Sequence, residues 1–372
     1  MEYLTTYKHL YEKFLNDRLI IEAIQDACKG SKNKNSKKFL KKYKECPIDY
    51  VDEIREYAIN YKGYEHHEKE IYDGISRKKR KITIPNGREH IYCHMIVLTL
   101  REIFMKGVYE YSYGSIPGRG SHDAKKVIEK IIKKYPRDCK YCMKLDIKKY
   151  FPSVSQDILK NKLRKVIKDD LFLDRVFELL KASKSGIPIG FYPSQWFSFW
   201  YLQDFDHYVK EQLKVKHYIR WADDIVVFGS NKRELYRQKE KMEEYLNKEL
   251  NLNLNHKWQI FRFDYIDKNE KHYGRDLDFM GYRFFRDRTI LRRSIYYKAC
   301  RRARKLGKRD KITIQDCKQM ITYMPWFKIT DTYTAFSDYI DTNVNRRYMR
   351  KRISKYDRRM VKCGKEQATA TA

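Results

Sequence analysis

Acidic residues are few beside the basic ones. Asp and Glu total 49 against 81 Lys and Arg, a formal charge of +32. An imbalance that large is tolerated mainly when a polyanion neutralises it, which puts nucleic acid first and an anionic membrane surface second. A cysteine framework is lacking: the eight residues are irregularly spaced, so reduced thiols are expected rather than disulfides. Cys139-x-x-Cys142 has no second pair at zinc spacing beside it and is not read as a metal or redox centre. The start, Met1-Glu2-Tyr3-Leu4-Thr5, lacks a basic segment leading into an apolar run, so no secretory signal is expected and the reading is cytoplasmic. A single uncharged stretch, Ser185 to Gln203, is long enough to raise a membrane question. Its Gly186, Pro188, Gly190 and Pro193 would leave backbone groups unsatisfied in lipid, so it is expected to be buried in protein, with no membrane partner. No internal repeat is evident.

Hydrophobic residues make up 42% of the chain, enough for a real core, which excludes wholesale disorder. The 32 Tyr fit either base stacking or a tyrosine-rich core. Apolar residues at helical spacing from Leu4 to Ala27 predict a helical start. Lys29 to Lys44 is rich in Lys, Asn and Ser, and reads as a solvated loop or a nucleic-acid contact. Residues 81–85 alternate like a short strand, 89–105 return to helical periodicity, and Cys142 to Ile147 reads as a strand. Helices are expected over 156–182, 195–213 and 232–250, a hairpin over 217–228, and two short strands within 277–292. Residues 295–364 read as helical and intensely basic. This order suits an α+β class, with helices on one face of a sheet.

Acids stand at the ends of the apolar strands. Asp223 and Asp224 lie between Trp221 and Ile225-Val-Val-Phe228, at a tight turn between two buried strands. Adjacent carboxylates held there repel one another unless a cation joins them; a solvated Asp-Asp turn is the bland alternative. Asp146 ends a further apolar strand and tips the balance. Acids delivered by separate strands to one end of a sheet make a divalent-metal site of hard oxygen donors. Two ions among three acids and a triphosphate suit in-line nucleotidyl transfer.

Four segments then occur in a telling order: Leu145-Asp-Ile-Lys-Lys-Tyr-Phe-Pro-Ser153, Ile189-Gly-x-x-x-Ser-Gln195, Trp221-Ala-Asp-Asp224 and Phe279-Met-Gly-Tyr282. They resemble the motifs of reverse transcriptases, over about residues 75–290. Tyr113-Gly-Ser-Ile-Pro-Gly-Arg-Gly-Ser-His-Asp-Ala124 resembles the segment before the palm in bacterial and group II intron reverse transcriptases, and Arg80-Lys-Ile-Thr-Ile-Pro-x-x-Arg88 their fingertip strands. The resemblance implies a right-hand polymerase fold, with a palm built of an antiparallel sheet and helices on one face. It divides the chain into an N-terminal helical and basic extension (1–74), fingers (75–141), palm (142–289, with a fingers insertion at about 156–186), a basic helical thumb (290–364) and a disordered tail (365–372).

Carried over by position, Asp146, Asp223 and Asp224 are the catalytic acids, and with the Ile147 carbonyl they hold two Mg²⁺ ions, for which Mn²⁺ can substitute. Phe151 matches the aromatic gate against a 2′-hydroxyl, with a core Phe as the alternative. Lys81, Arg88 and Lys257 are candidates for the triphosphate and the leaving pyrophosphate, since phosphates need cationic donors; a solvated charge is the alternative at each. Ile189, Gly190 and Gln195 belong to the loop under the incoming nucleotide. Phe279, Met280 and Gly281 match the primer grip. Arg301, Arg302, Arg304, Lys305, Lys308 and Arg309 form the basic cluster expected to hold nucleic acid. The implied partners are template RNA, a primer or cDNA strand, and deoxynucleoside triphosphates.

Two departures matter. The usual Tyr-x-Asp-Asp is Trp221-Ala-Asp-Asp here, which keeps an apolar platform and loses a hydroxyl. Most relatives carry Gln-Gly-x-x-x-Ser-Pro in the nucleotide loop, where this chain has Ile189-Gly-Phe-Tyr-Pro-Ser-Gln195. That form resembles the reverse transcriptases of diversity-generating retroelements, which copy a template repeat with frequent errors at adenines beside a small basic accessory protein. An Ile cannot hydrogen-bond near the nucleotide as a Gln would, so geometric checking should loosen. The competing expectations are a retron-like or phage-defence enzyme without a mutagenic role, an inactive RNA-binding scaffold, and a membrane-surface protein.

Overall fold

The computed structural model describes residues 6–30, 34–63, 66–72 and 79–369. Leu4, at the head of the expected N-terminal helix, part of the Lys29–Lys44 segment, and residues 370–372 of the tail lie outside them. The chain forms two compact units, one of Met1–Gly120 with Met143–Ile260, the other of Ser121–Cys142 with Phe261–Ala372.

The first unit is organised around the helix Gly87–Met105. Asn86 caps it by accepting from the Glu89 N–H at 2.8 Å. Almost its whole circumference is buried, from Ile91 through Leu100 and on to Phe104, so its role is core rather than surface. Asp17–Gly30 and Tyr192–Tyr201 pack on it. The uncharged stretch is buried as expected: Ile187, Phe191, Trp196, Phe197, Phe199, Trp200 and Tyr201 all lie in the core. Among the described residues no helix is long and apolar enough to cross a membrane. Lys34–Glu45 departs from the loop expectation. It is a helix, because Leu40 and Tyr43, one turn apart, both reach the core despite the surrounding lysines.

Strands β1 (His66–Tyr72) and β2 (Lys79–Pro85) form an antiparallel ribbon. Strands β3 (Ser112–Tyr113), β4 (Tyr141–Asp146), β5 (His217–Trp221), β6 (Asp224–Gly229) and β7 (Gln259–Arg262) make a five-stranded sheet in the order β3-β5-β6-β4-β7. β5 and β6 pair antiparallel from His217↔Phe228 to Trp221↔Asp224, but β3 joins β5 in parallel, so the sheet is mixed at that edge. The helix Lys232–Leu250 follows β6. Asn231 caps its start, and Asn251, at φ 51°, ends it in the left-handed region. The expected helical stretch 156–182 is two helices, Gln156–Val166 and Asp170–Leu180.

In the second unit β8 (Tyr265–Ile266) pairs with β9 (His272–Tyr273), and β10 (Leu277–Phe279), β11 (Tyr282–Phe284) and β12 (Thr289–Leu291) form a meander. That is three strands where two were expected within 277–292. Helices Ser121–Lys134, Arg293–Gly307, Ile314–Ile321 and Arg346–Thr369 belong to the same unit, the last running through 365–369 of the expected tail.

Candidate active site

The turn between β5 and β6 contains two residues, Ala222 and Asp223. Hairpins this tight need a positive φ at the first central position, usually supplied by glycine. Here Ala222 takes it, at φ 52°. An L-residue in that region costs about 1–2 kcal/mol, so the surroundings must hold it. They do so at both of its polar groups. The Ala222 N–H donates to the Tyr113 carbonyl at 2.9 Å, and its carbonyl accepts from Arg220 Nη1 at 2.9 Å. Tyr113 opens the segment expected to precede the palm, and Gly114 lies so close that an added Cβ would come within 3.1 Å of the Ala222 nitrogen.

Arg220 is itself fully buried. Nε and Nη2 donate to the two oxygens of buried Asp206 at 2.7 and 2.5 Å, and the Tyr218 hydroxyl adds a bond to Asp206 at 2.6 Å. Burial alone would lower the guanidinium pKa, but Asp206 outweighs it and the net shift is upward. Removing one member of such a pair costs roughly 3–5 kcal/mol, because the other is left buried and uncompensated.

Asp146 ends β4, and the next residue ties that strand to the turn: the Ile147 N–H donates to the Asp223 carbonyl at 3.3 Å. Beyond the helix Lys232–Leu250 the chain returns along this edge, with Ile147 bridging Leu254. The Asn255 N–H donates to the Asp146 carbonyl at 2.7 Å, and Lys148 N–H to the Asn253 carbonyl at 2.8 Å, which leaves the Ile147 carbonyl outside that ladder. The Asn255 side chain donates to Asp146 Oδ2 at 2.8 Å and accepts from the Lys257 N–H at 3.2 Å.

The three acids therefore meet at one end of the sheet, each half-buried. Burial first, then the neighbouring Asp224 charge and, more weakly, Asp146, push the Asp223 carboxyl up to about 6, against a smaller downward pull from Arg80. Three hard-oxygen donors that repel one another in partial burial fit a divalent cation. Another carboxylate–His cluster lies in the second unit, where Asp264, His272 and Asp287 bring ligand atoms within 4.8 Å of one another. Arg288 already donates there, to Asp287 at 2.9 Å, with His272 Nε2 3.3 Å away.

Around the acids the expected nucleotide residues are distributed unevenly. Phe151 sits on the short helix Tyr150–Ser153 and is half-buried, whereas its neighbour Tyr150 is the core residue, donating to the Ser198 carbonyl. The Phe151 carbonyl accepts from Ile187 N–H at 3.0 Å, in contact with Gly186. Ile189 is half-buried, and its carbonyl accepts from Thr83 N–H at 2.7 Å. Gly190, at φ 116°, lies against the same strand; a Cβ there would come within 2.3 Å of the Thr83 carbonyl oxygen. Thus the Ile189–Gly190 loop and β2 meet backbone to backbone, which only glycine permits. Gln195 is exposed on the helix Tyr192–Tyr201.

Lys81 is ion-paired with Glu68 across the ribbon at 2.5 Å, and Arg88 lies 5.0 Å over the Tyr57 ring. Strand side chains alternate between faces, so Arg80 points away from Lys81, and Arg80 is the cation whose field reaches Asp223. Lys257 is exposed, two residues beyond Asn255. Asn255, Arg220, Asp206 and Arg80 are thus site residues that the motif pattern did not single out. Only Arg80, inside the fingertip segment, carried any sequence signal.

In the second unit Phe279 is buried and the two-residue turn Met280–Gly281 has positive φ at both positions, 51° and 92°. A type I′ hairpin requires that pattern. Gly281 is also crowded, since a Cβ would come within 2.8 Å of Ile295 and 3.0 Å of Trp326. On and just beyond the helix Arg293–Gly307, Arg301, Arg304, Lys305 and Lys308 are exposed, while Arg302 and Arg309 are turned onto Asp316 at 3.2 and 3.3 Å. Cys139 and Cys142 are buried and not joined in a disulfide, and burial pushes the Cys139 thiol up to about 12, which suits a core residue.

Residues 67–284, which include the three acids, the Ile189–Gln195 segment and the Phe279–Tyr282 hairpin, match the reverse transcriptase (RNA-dependent DNA polymerase) family. The chain belongs to that family. Its α+β architecture is accordingly the right-hand polymerase fold, in a nucleotidyltransferase family whose members use divalent metal ions. A 103-residue stretch is 30% identical to the putative COX1/OXI3 intron 2 protein of Saccharomyces cerevisiae, covering 28% of this chain and 12% of that protein. Among solved structures, telomerase of Candida albicans in complex with a TWJ fragment of telomeric RNA aligns with a TM-score of 0.47 at 12% identity, over 80% of this chain and 60% of the other. Apo telomerase of Candida tropicalis aligns at 0.45 and 12%, over 77% and 60%. This reverse transcriptase chain therefore spans less than two thirds of the length of each.

Proposed function

We propose that the chain is an RNA-directed DNA polymerase that makes cDNA by two-metal nucleotidyl transfer, error-prone at template adenines and serving a diversity-generating retroelement. The observation that supports the chemistry best is the meeting of Asp146, Asp223 and Asp224 at one sheet end, with the Asp223 carboxyl raised to about 6 by burial and like charge. In this reading the acids and the Ile147 carbonyl would hold two Mg²⁺ ions, or Mn²⁺ in their place, which when bound would neutralise the charge developing on the phosphoryl oxygens. The chain's own groups do the rest. Asn255 orients Asp146, and Lys257, on the same returning segment, offers its cation to the leaving pyrophosphate. Arg80, Lys81 and Arg88 supply positive charge for the triphosphate, Lys81 after release from Glu68. The Phe151 ring excludes a 2′-hydroxyl, consistent with its half-exposed position.

The domain reading follows the expected one, with fingers at 75–141, palm at 142–289 and a basic thumb at 290–364. Template RNA, a primer or cDNA strand and deoxynucleoside triphosphates are the substrates, and a small basic accessory protein is the proposed partner. The subtype rests on Ile189-Gly190-x-x-x-Ser194-Gln195: no amide stands at position 189 to be left unpaired when a mismatched nucleotide enters.

Primer extension on an adenine-containing RNA, with product sequencing, tests both levels. Synthesis should require Mg²⁺ or Mn²⁺ and fall by several orders of magnitude in Asp223→Ala while RNA binding persists. Undiminished synthesis in that variant would remove the assignment of the acids. Wild type should misincorporate most at template adenines, and Ile189→Gln should lower that error with the rate kept within about tenfold. Uniformly low wild-type error would place the enzyme with the retron-like or phage-defence reverse transcriptases.

A further inference from the structure

The buried ion pair behind the catalytic turn does more than fill the core. We infer that Arg220, seated by Asp206 and Tyr218, is a positioning residue that sets where Asp223 presents its carboxylate. This inference rests on the reading of Asp223 as a metal-binding acid.

Three features separate it from an ordinary structural pair. First, the guanidinium has its donors divided. Nε and Nη2 are used on Asp206, and Nη1 is aimed separately at the Ala222 carbonyl, at 2.9 Å. Any buried guanidinium must satisfy that donor, but here its acceptor is the residue directly before Asp223. Second, Ala222 is the residue held at φ 52°, in a position where glycine is usual, and it directly precedes Asp223. The peptide entering Ala222 is held through its N–H by the Tyr113 carbonyl, and the peptide leaving it through its carbonyl by Arg220, so the plane from which Asp223 departs is fixed. Third, the Asp206 end of the arrangement is over-determined. Both carboxylate oxygens are used, and the Tyr218 hydroxyl shares Oδ1 with Arg220 Nε. The whole unit is buried and anchored to β5, so a fork fixed in orientation by one acid transmits that orientation to the turn.

Lysine cannot replace this function, since an ammonium can satisfy Asp206 but has no rigid fork to reach Ala222 as well. A fully apolar replacement should restore packing without restoring aim. Buried ion pairs exchanged for hydrophobic groups of similar volume often keep or raise stability.

The test uses two variants of the full chain, Arg220→Lys and the triple variant Asp206→Leu/Tyr218→Phe/Arg220→Met, beside wild type and Asp223→Ala. Folding is followed by thermal melting, Mn²⁺ binding by electron paramagnetic resonance of the free ion, and kcat and KM for deoxynucleotide by primer extension. Both variants should melt cooperatively and bind primer–template as wild type does. Their kcat should fall by about tenfold to a hundredfold, as expected for a reacting group displaced on the ångström scale, with KM changed less than kcat. Mn²⁺ affinity should weaken several-fold, toward that of Asp223→Ala. Wild-type kcat and Mn²⁺ affinity in either folded variant would overturn the inference and leave the pair a packing device. Absence of polymerase activity in wild type would instead overturn the proposed function, while the Mn²⁺ titration would still decide the role of Arg220.

Discussion

The Asn255 side chain is divided between the Asp146 carboxylate and the chain that follows it. Its Nδ2 donates to Asp146 Oδ2 at 2.8 Å, and its Oδ1 accepts from the Lys257 N–H at 3.2 Å. One amide thus fixes a carboxylate and the start of the segment bearing a cation. Groups that orient metal-binding carboxylates typically matter by 10–100-fold when removed. Asn255→Ala should lower the single-turnover extension rate by about that factor, with RNA binding unchanged. A rate within twofold or so of wild type would reduce Asn255 to a local turn residue.

Metal affinity should depend on pH through Asp223. Its carboxyl is raised from 3.8 to about 6 by burial and by the Asp224 and Asp146 charges. Below that value it is protonated and gives up a negative ligand; above it the full acid set is charged. Mg²⁺ or Mn²⁺ affinity should therefore rise with pH through about 6 and level off above it. Arg80 pulls the Asp223 value down, so Arg80→Ala should move the midpoint upward. Titration calorimetry across this range checks both, and a flat profile would contradict the carboxylate reading.

The same shift has a cost in stability, with a definite sign. A carboxyl whose folded value lies above its unfolded one favours folding only while protonated, and the benefit disappears as pH rises through about 6. Ionised Asp223 therefore strains the metal-free fold at neutral pH, by up to about 3 kcal/mol before solvent screening is allowed for. Asp223→Asn should raise the melting temperature of the metal-free protein near pH 8 and lose that advantage below pH 4, while abolishing synthesis. Melting curves at the two pH values in chelator decide it.

Nucleic-acid affinity should fall steeply with salt, but fewer cations contribute than the basic cluster contains. Arg302 and Arg309 are engaged with Asp316, whereas Arg301, Arg304, Lys305 and Lys308 are exposed. Replacing those four by Gln should reduce the slope of log affinity against log salt by roughly 0.7–0.9 for each phosphate that is no longer neutralised. The Arg302→Gln variant should change the slope less and the melting temperature more.

Local pattern carried much of the architecture. Lys232–Leu250, β2, β4 and the β5–β6 hairpin are where periodicity and turn chemistry placed them, and the three acids were legible because they stand at or beside the ends of apolar strands. What escaped depends on distance along the chain. Asn255 meets Asp146 across 109 residues, a juxtaposition no local signal announces. Arg220 and Asp206 are only 14 apart, yet nothing in a charged residue's spacing says that it will be buried against another. Lys34–Glu45 misled for the opposite reason. Its lysines dominate the composition, while Leu40 and Tyr43 decide the structure. That the Arg80 charge bears on Asp223 depends on which face of the strand it occupies, and neighbouring cations look alike until the strand is placed.

The hairpin that carries Asp223 and Asp224 works as a ruler with no slack. Its loop holds two residues and its strands pair without a bulge from His217↔Phe228 to Trp221↔Asp224. Because strand side chains alternate, one inserted residue in β6 would exchange the faces of everything beyond it, sending Val226 and Phe228 where their neighbours belong. A change of length here would therefore shift the acids out of register, whereas Trp at 221 keeps its pairing with Asp224. The site can vary its chemistry at the margins, but its spacing is frozen.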